Sequence, residues 1–515
     1  MRLGAIALAV AALLAPAAGL RAQPAEPGGA GPGSFPDDEG PPLGPDAVPL
    51  EYELPPIGES ERVEVGGGPV LTLGQVLSSV ERLHPAIEAG RERIRAAEGE
   101  RLAAEGGFDL MFRAFGFGAP VGYYDYARAD ISLEQPTPLW GTTFYAGWKF
   151  GRGGDFPPYY GQFETLTGGE LRAGVRIPLW QDGPIDSRRG RLRQAQQGVQ
   201  VAEAAFGGQM LEMRLDATQA YWGWVAAGRR YGIVAGLLDL AEERDDQIAA
   251  RVRSGAIPAI ESLENRRTIL ARREALISAR RSLERAAIAL SLFLRSEDGT
   301  PRVADASRVP TEVPSPGRLE VEIDQAVAEA LERRPEMARF AALVERQEVS
   351  IALARNRFAP QIDITLGAAA DVGSGNEVQQ EVIGPPVLEG TLMIAMPLQF
   401  REARGGVART RAELAALQAD ARLMRDRITT QVQDALSAVR AAEEQVELAR
   451  QSAQVATAVA IAERRRFRLG AAQLFIVNLR EQAAALARAR LVDAEAAVEV
   501  ARATWRAATA QPVGG

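Results

Sequence analysis

Few residues of this chain could perform chemistry, and the missing types exclude whole classes of function. The chain has no cysteine, and His84 is the only histidine among 515 residues. Disulfides, thiolate metal sites and cysteine nucleophiles are therefore excluded, and a histidine-based zinc site cannot be assembled. A Ser-His-Asp triad would have to use His84, but this residue precedes Pro85 at the predicted end of a short helix. We interpret His84 as a structural residue.

Acidic residues are the remaining candidates for acid–base chemistry. The adjacent pairs at 242–243 and 245–246 fall within a predicted helix, where we expect solvated side chains rather than a general acid and base. The chain has no phosphate loop, dinucleotide fingerprint or metal-ligand spacing. Its net charge of -8 argues against nucleic acid as a partner. The sequence therefore predicts neither an enzyme nor a cofactor.

The elements around these residues occur in two similar halves. Residues 71–85 align with residues 321–335 without a gap, and the turn RVRSGA at 251–256 returns as RFRLGA at 466–471. Each half follows the order short helix, strands, long helix, glycine turn, long helix. An internal repeat of this kind predicts a symmetric tube rather than a soluble enzyme.

Composition divides the chain into six segments. Arg2 and a short apolar run at 6–14 are typical of an export signal, and no later stretch supplies the roughly 20 apolar residues of a spanning helix. Any membrane-spanning part should then be a β-barrel. The segments are a signal peptide (1–22), a disordered Pro/Gly/acidic lead-in (23–68), a first repeat (69–295), an inter-repeat linker (296–320), a second repeat (321–510) and a tail (511–515).

Helical periodicity predicts two long hairpins. No proline interrupts 187–253 or 406–468, and helices over these ranges would each be about 100 Å long at a rise of about 1.5 Å per residue. The hairpins should turn near residues 255 and 470, because glycine tolerates a positive φ. A soluble coiled coil would show the same periodicity.

Alternating segments predict strands between these helices. Seventeen of the 31 aromatic residues fall within 108–180. Segments of about ten alternating residues with aromatics near their ends are typical of an outer-membrane barrel; the alternative is a water-soluble β-domain inserted in a coiled coil. The predicted strands lie near 109–118, 126–135, 142–151 and 169–179 in the first half and within about 361–400 in the second. The candidate aromatic belt is Trp140, Tyr145, Trp148 and Trp180.

The motifs resemble the TolC-type outer-membrane efflux protein family from about residue 70 to 510. They are the L-x-L opening that ends in His-Pro (Arg-Pro in the second half), FAPQIDI, the strand-to-helix passages RIPLWQDGPIDSRRGRLRQA and AMPLQFREARGGVARTRAEL, and the R-x-G turns. The resemblance implies a mixed α/β membrane protein built from two internal repeats. It combines a long α-helical barrel of coiled-coil hairpins with a trimeric transmembrane β-barrel, usually of four strands per chain.

The resemblance also implies a function. We expect a passive channel of a tripartite efflux or secretion system, located in the outer membrane and extending into the periplasm. Its partners would be two further copies of the chain, outer-membrane lipid, a periplasmic adaptor protein and, indirectly, an inner-membrane pump. A pore-less, envelope-spanning coiled-coil structural protein is the alternative. The residues do not distinguish drug efflux from protein or polysaccharide secretion, and give metal export no support.

Site residues follow from the same resemblance. The adaptor-docking hairpin tips are Arg253, Ser254, Gly255, Arg468, Leu469 and Gly470. Family members often place an acidic ring six and nine residues after the second turn glycine, where this chain has Ile476 and Leu479. The same offsets from Gly255 give Glu261 and Glu264. We therefore expect that a selectivity ring is either formed by Glu261 and Glu264 of the first hairpin or is absent. Ile476 and Leu479 of the second hairpin are candidates for a hydrophobic gate.

The chain departs from the family in its strand number. The first half has four predicted strands where family members usually have two, and the additional pair contains SLEQPTPLWGTTFYAGWKFG. We expect either an extended extracellular hairpin or a barrel edge peculiar to this subgroup.

Overall fold

The computed structural model describes residues 62–122, 125–153, 164–313 and 317–511. The predicted signal peptide, most of the lead-in and the last four residues of the tail lie outside the described residues. Within these ranges, no helix has the length and the apolar character needed to cross a membrane.

The described elements repeat one order: two helices, a run of strands, then two long helices. The first half contains α1 (Leu73–Leu83), α2 (Pro85–Glu105), β1 (Met111–Ala119), β2 (Tyr126–Pro136), β3 (Thr143–Gly153), β4 (Glu170–Pro178), α3 (Ser187–Arg253) and α4 (Ile260–Leu290). The second contains α5 (Ile323–Arg333), α6 (Pro335–Asn356), β5 (Gln361–Asp371), α7 (Glu377–Ile383), β6 (Val387–Ala395), α8 (Arg401–Arg468) and α9 (Leu474–Ala508).

The single histidine forms the junction between α1 and α2. His84 ends α1, and its Nδ1 accepts a hydrogen bond of 3.1 Å from the backbone N–H of Ala86 in the first turn of α2. Pro85 at the start of α2 lacks an N–H that would otherwise need a partner. Partial burial lowers the pKa of His84. Its role is that of a helix cap, which agrees with the structural interpretation.

The long helices form where the absence of proline predicts them. Helix α3 has 67 residues and α8 has 68, so each is about 100 Å long. Each packs along the helix that follows it, and α9 also packs along α3, which joins the two hairpins. Midway along α8, Val432 and Val439 are fully buried together with Trp505 near the end of α9.

The structure describes residues 62–68, which precede the predicted start of the first repeat at residue 69. The backbone N–H groups of Gly66, Gly68 and Leu71 donate to the carbonyls of residues 306, 307 and 308, at 3.3, 3.0 and 3.0 Å. The linker that accepts these bonds packs on α3, where Val309 lies against Gly228 and is 2% exposed. Residues 62–68 are therefore held by backbone pairing, which their composition does not reveal.

The six strands of the described residues form one antiparallel sheet in sequence order. The predicted strands are confirmed at 111–119, 126–136, 143–153 and 170–178. Strands β4 and β5 join the two halves, with Gly174 opposite Gly367. Because each half contributes an even number of strands, α2, α3, α6 and α8 all meet the sheet at the same end.

Alternation gives the sheet two different faces. On one face Asp130 of β2 lies opposite Lys149 of β3, which lies opposite Glu170 of β4. On the other face Trp148 of β3 lies opposite Leu171 of β4. Successive side chains of a strand point to opposite sides, so this division runs from β2 to β4. On β1 it is mixed, because Phe115 lies opposite Asp130 and Phe117 opposite Arg128 on the charged face.

Two glycine-to-alanine changes should have opposite effects on stability. Gly255 has φ +74, and a Cβ there meets nothing within 4 Å, so Gly255→Ala adds only backbone strain, about 1 kcal/mol. Gly198 inside α3 also has open space around it, and Gly198→Ala should stabilise the helix by about 0.5–1 kcal/mol. Loss of the circular-dichroism helix signal on heating measures both; a Gly255→Ala protein that melts above wild type would contradict the left-handed turn.

Candidate functional site

The two hairpin tips have the same backbone geometry. At the first, the N–H of Ala256 donates to the carbonyl of Arg251 and the N–H of Gly255 to that of Val252, both at 2.9 Å. At the second, Ala471 and Gly470 donate in the same way to residues 466 and 467, also at 2.9 Å. This is the Schellman motif, which requires the left-handed conformation that Gly255 and Gly470 adopt.

The side chains at the tips project into solvent. Arg253, Ser254 and Arg468 are exposed, and Leu469 is 76% exposed. The tips are also joined to each other, because the guanidinium of Arg251 lies 5.8 Å from the ring centroid of Phe467. The predicted tip residues thus form one exposed surface at the end of the molecule opposite the sheet.

The candidate gate residues lie just inside the tips. Glu261 and Glu264 are in the first two turns of α4, and Arg267 donates to Glu264 at 3.0 Å, which lowers the pKa of that carboxyl. On α9, Ile476 is partly buried and Leu479 is 47% exposed. The acidic pair and the apolar pair therefore belong to different hairpins.

A buried carboxylate close to these residues was missed by the sequence interpretation. Glu481 of α9 is 3% exposed and accepts hydrogen bonds from Arg244 of α3 and from Arg272 of α4, the latter at 3.0 Å. Arg464 of α8 approaches it to 3.9 Å. Burial lowers the pKa of Arg272. One side chain thus connects four helices from both hairpins.

Periodicity offered a signal for Glu481. Leu474, Val477 and Ala484 lie on the buried stripe of α9, and Glu481 occupies the same stripe. A charged residue at a core position of a helix needs a buried partner of opposite charge. The sequence does not identify the partners, since Arg244 and Arg272 are more than 200 residues away.

The predicted belt residues do not all lie in the same part of the sheet. Trp148 stacks on Phe150 with ring centroids 5.7 Å apart, and its indole N–H donates to Gly168 at 2.8 Å. Trp140 and Trp180 follow β2 and β4 at the helix end and are more than half exposed.

Tyr145 does not belong to this belt. It lies three residues before Trp148 in β3 and so points to the opposite, polar face. A Cβ at Gly174 or Gly367 would come within about 2.6 Å of the Tyr145 hydroxyl, so the ring lies across both glycines. The aromatic belt prediction is wrong for this residue because it ignored the two-residue period.

Ion pairs connect the strands on the polar face. Lys149 and Glu170 link β3 to β4 at 3.2 Å, and Arg113 and Glu134 link β1 to β2 at 2.9 Å. Arg172 and Asp130, on β4 and β2, pair across the intervening Gly147 of β3. In the described part of the chain, no group of three His, Asp or Glu side chains could hold a metal ion.

The additional strands are part of the continuous sheet. The turn between β2 and β3, which contains Trp140 and Gly141, lies at the helix end, where Gly141 approaches the carbonyl of Asp182 before α3. β1 leaves this end of the sheet and β2 returns to it, so the turn between β2 and β3 lies on the same side as the helices. β1 is the terminal strand of the sheet.

Comparison with known proteins identifies the class. The sequence matches the outer membrane efflux protein family over residues 169–294 and 326–511, and the chain belongs to this family. No match was found among curated protein sequences. The family assignment defines a channel of the outer membrane rather than an enzyme.

Solved structures share the fold at low sequence identity. The open state of the Neisseria gonorrhoeae MtrE outer membrane channel is 14% identical, with a TM-score of 0.60 over 89% of this chain and 94% of MtrE. A Pseudomonas aeruginosa membrane protein is 17% identical, with a TM-score of 0.59 over 88% and 99%. The Campylobacter jejuni CmeC outer membrane channel is 13% identical, with a TM-score of 0.59 over 85% of each chain. The resemblance to a TolC-type channel is confirmed.

Removing the charge of Glu481 should loosen the tips. Glu481→Gln leaves Arg244 and Arg272 buried without a counter-charge, which costs about 3–5 kcal/mol. Amide hydrogen exchange in α9 near residue 481 should accelerate strongly in this variant.

The matched control is Glu264→Gln, which removes a carboxylate from a pair whose arginine is solvent-exposed. Water screens such a pair, so exchange in α9 should stay at the wild-type rate. Equal acceleration in both variants would show that the buried cluster does not hold the hairpins together.

Proposed function

We propose that three copies of this chain form a passive duct from the periplasm to the cell exterior, as the outer-membrane component of a tripartite efflux or secretion system. The family assignment supports the channel and its location. The trimer, the adaptor and the passive mechanism are the additional parts of the proposal.

One observation supports closure by several copies, and the number three follows the family resemblance. The sheet has an apolar face, a charged face and two terminal strands, β1 and β6, each with a free hydrogen-bonding edge in the described chain. In lipid such edges cost several kcal/mol per unpaired group, so a membrane sheet must close on itself. Six strands are fewer than the eight of the smallest barrels, and closure therefore needs further copies.

Adaptor docking is assigned to the tips. Arg253, Ser254, Arg468 and the exposed Leu469 lie at the end of roughly 100 Å helices, far from the sheet. Paired Schellman turns present short backbone reversals on which the helical tip of a partner could pack. No energy-converting site is apparent in the described residues, so energy for transport would come from an inner-membrane pump.

The gate is assigned to the region just inside the tips. Opening the duct requires the two hairpins to separate there, and the Glu481 cluster opposes that separation because it joins α3, α4, α8 and α9. Glu261 and Glu264 would then form a cation-selective ring, with Leu479 and Ile476 as an apolar constriction.

Conductance through a planar lipid bilayer tests this function. The purified protein should give discrete current steps with a preference for cations. Glu261→Gln/Glu264→Gln should weaken that preference, because two carboxylates per chain leave the predicted ring. Reversal potentials in a salt gradient measure the selectivity.

The control is Glu274→Gln/Glu284→Gln, an equal charge change on exposed residues of α4 away from the tip. It should leave selectivity unchanged. Current steps whose ion selectivity is changed by neither double variant would support the channel and contradict the acidic ring. If no steps occur even when the turns are loosened by substitution of Gly255 and Gly470, the pore-less structural protein becomes the better account.

A further inference from the structure

The terminal strands of the sheet fit each other in length, direction and face. Strands β1 and β6 have nine residues each, and every residue of β6 is exposed. In the six-stranded antiparallel order they run in opposite directions, so β6 of one copy meets β1 of the next as an antiparallel pair. Because the strand number per chain is even, this pairing can continue around a closed ring.

We propose that the edge of β1 binds β6 of the next copy, and that the three copies close one eighteen-stranded barrel. This inference rests on the proposed trimer and departs from the twelve strands that the family resemblance implies. All six strands, including the additional pair in the first half, then belong to the barrel wall.

The register within one chain supports this number. The row of aligned residues that starts at Met111, the first residue of β1, passes through Glu134, Tyr145, Gly174 and Gly367 and reaches Glu389 of β6. Glu389 lies six residues before Ala395, the last residue of β6. If Met111 of one copy pairs with Ala395 of the next copy (end-to-end pairing), the aligned row is displaced by six residues along β6. Each chain therefore contributes a displacement, or stagger, of six residues to the barrel.

The stagger gives a physically acceptable barrel. Three copies produce a total stagger of eighteen residues over eighteen strands. With a rise of about 3.3 Å per residue and a strand spacing of about 4.8 Å, the strands tilt by about 35°. Known barrels have tilts of about 35–45°. End-to-end pairing is thus consistent with closure.

The faces also agree in this register. Pairing Met111 with Ala395 puts Arg113 opposite Met393 on the charged face and Phe112 opposite Ile394 on the apolar face. A slip by one residue would instead place Arg113 opposite Leu392 or Ile394, which lie on the apolar face. The charged face with its ion pairs becomes the lumen, and the apolar face contacts lipid.

Strand number determines the width of the duct. At this tilt, eighteen strands give a backbone diameter of about 34 Å, against about 23 Å for twelve strands. Barrels of sixteen to eighteen strands enclose an aqueous channel. The sheet end of this duct would therefore pass wider solutes than a twelve-stranded relative.

Disulfide cross-linking can distinguish the two barrels, because the chain has no cysteine of its own. In the eighteen-stranded barrel, Arg113→Cys/Met393→Cys should form a covalent trimer on a non-reducing denaturing gel and return to monomer on reduction. Directly opposed residues of an antiparallel pair have Cα atoms about 4.5 or 5.5 Å apart, which a disulfide can span. Ala114→Cys/Leu392→Cys tests the adjacent pair of opposed residues. Because successive pairs alternate between the two Cα separations, one of the two double variants has the shorter separation.

Two further variants make the result decisive. Arg113→Cys/Glu389→Cys shifts one partner by four residues, about 13 Å, and should stay monomeric on the gel. Tyr145→Cys/Met393→Cys should remain monomeric as well, because it cross-links only if β3 replaces β1 at the edge, as a twelve-stranded barrel requires. Cross-linking of this last pair, or of none in a protein that is trimeric by native mass, would overturn the eighteen-stranded barrel.

Mass and conductance separate this inference from the proposed function. A monomeric mass would overturn the trimer and the barrel together. If the Tyr145→Cys/Met393→Cys trimer cross-links and the protein gives current steps, the proposed duct is supported. The eighteen-stranded barrel is then contradicted.

Discussion

An even number of sheet crossings in each half is the constraint on which the architecture depends. Every strand reverses direction, so two or four crossings return the chain to the end where it entered. The helices α2, α3, α6 and α8 consequently meet the sheet at one end, and the long hairpins extend away from it together. Strands can be added to such a protein only in pairs, and the four strands of the first half obey this rule. An odd number would put the two ends of one half at opposite ends of the sheet.

The opposite end of the molecule depends on a different interaction. At the tips, glycine turns reverse the chain, but turns alone do not hold two hairpins side by side. The contact there combines small apolar side chains with one buried carboxylate that arginines from three other helices approach. Separating a buried ion cluster is costly, because it leaves charges buried without a partner. Such a contact suits a place where two rigid hairpins should either hold together or separate, rather than slide.

Local patterns predicted most of the elements. The absence of proline and the regular helical period indicated α3 to the residue and α8 within about five residues at its start. Two-residue alternation indicated all four strands of the first half. The same alternation, applied strictly, would have put Tyr145 on the polar face and kept it out of the aromatic belt. The ordered segment before residue 69 could not be predicted, because backbone pairing with a linker more than 200 residues away orders it and its own composition indicates disorder.

The sequence by itself determined the long helices, the strands of the first half, the turn glycines, the absence of a thiol or histidine site and the likeness to an efflux channel. These properties depend on residues close together in the chain or on residue types that are missing. The sequence did not indicate the short helix α7 between β5 and β6. Only the tertiary structure decided which strands are neighbours, that β4 and β5 join the halves, and that Glu481 meets Arg244 and Arg272. Contacts between distant segments depend on the packing of whole elements, and a periodic pattern specifies which face an element buries but not which partner covers it.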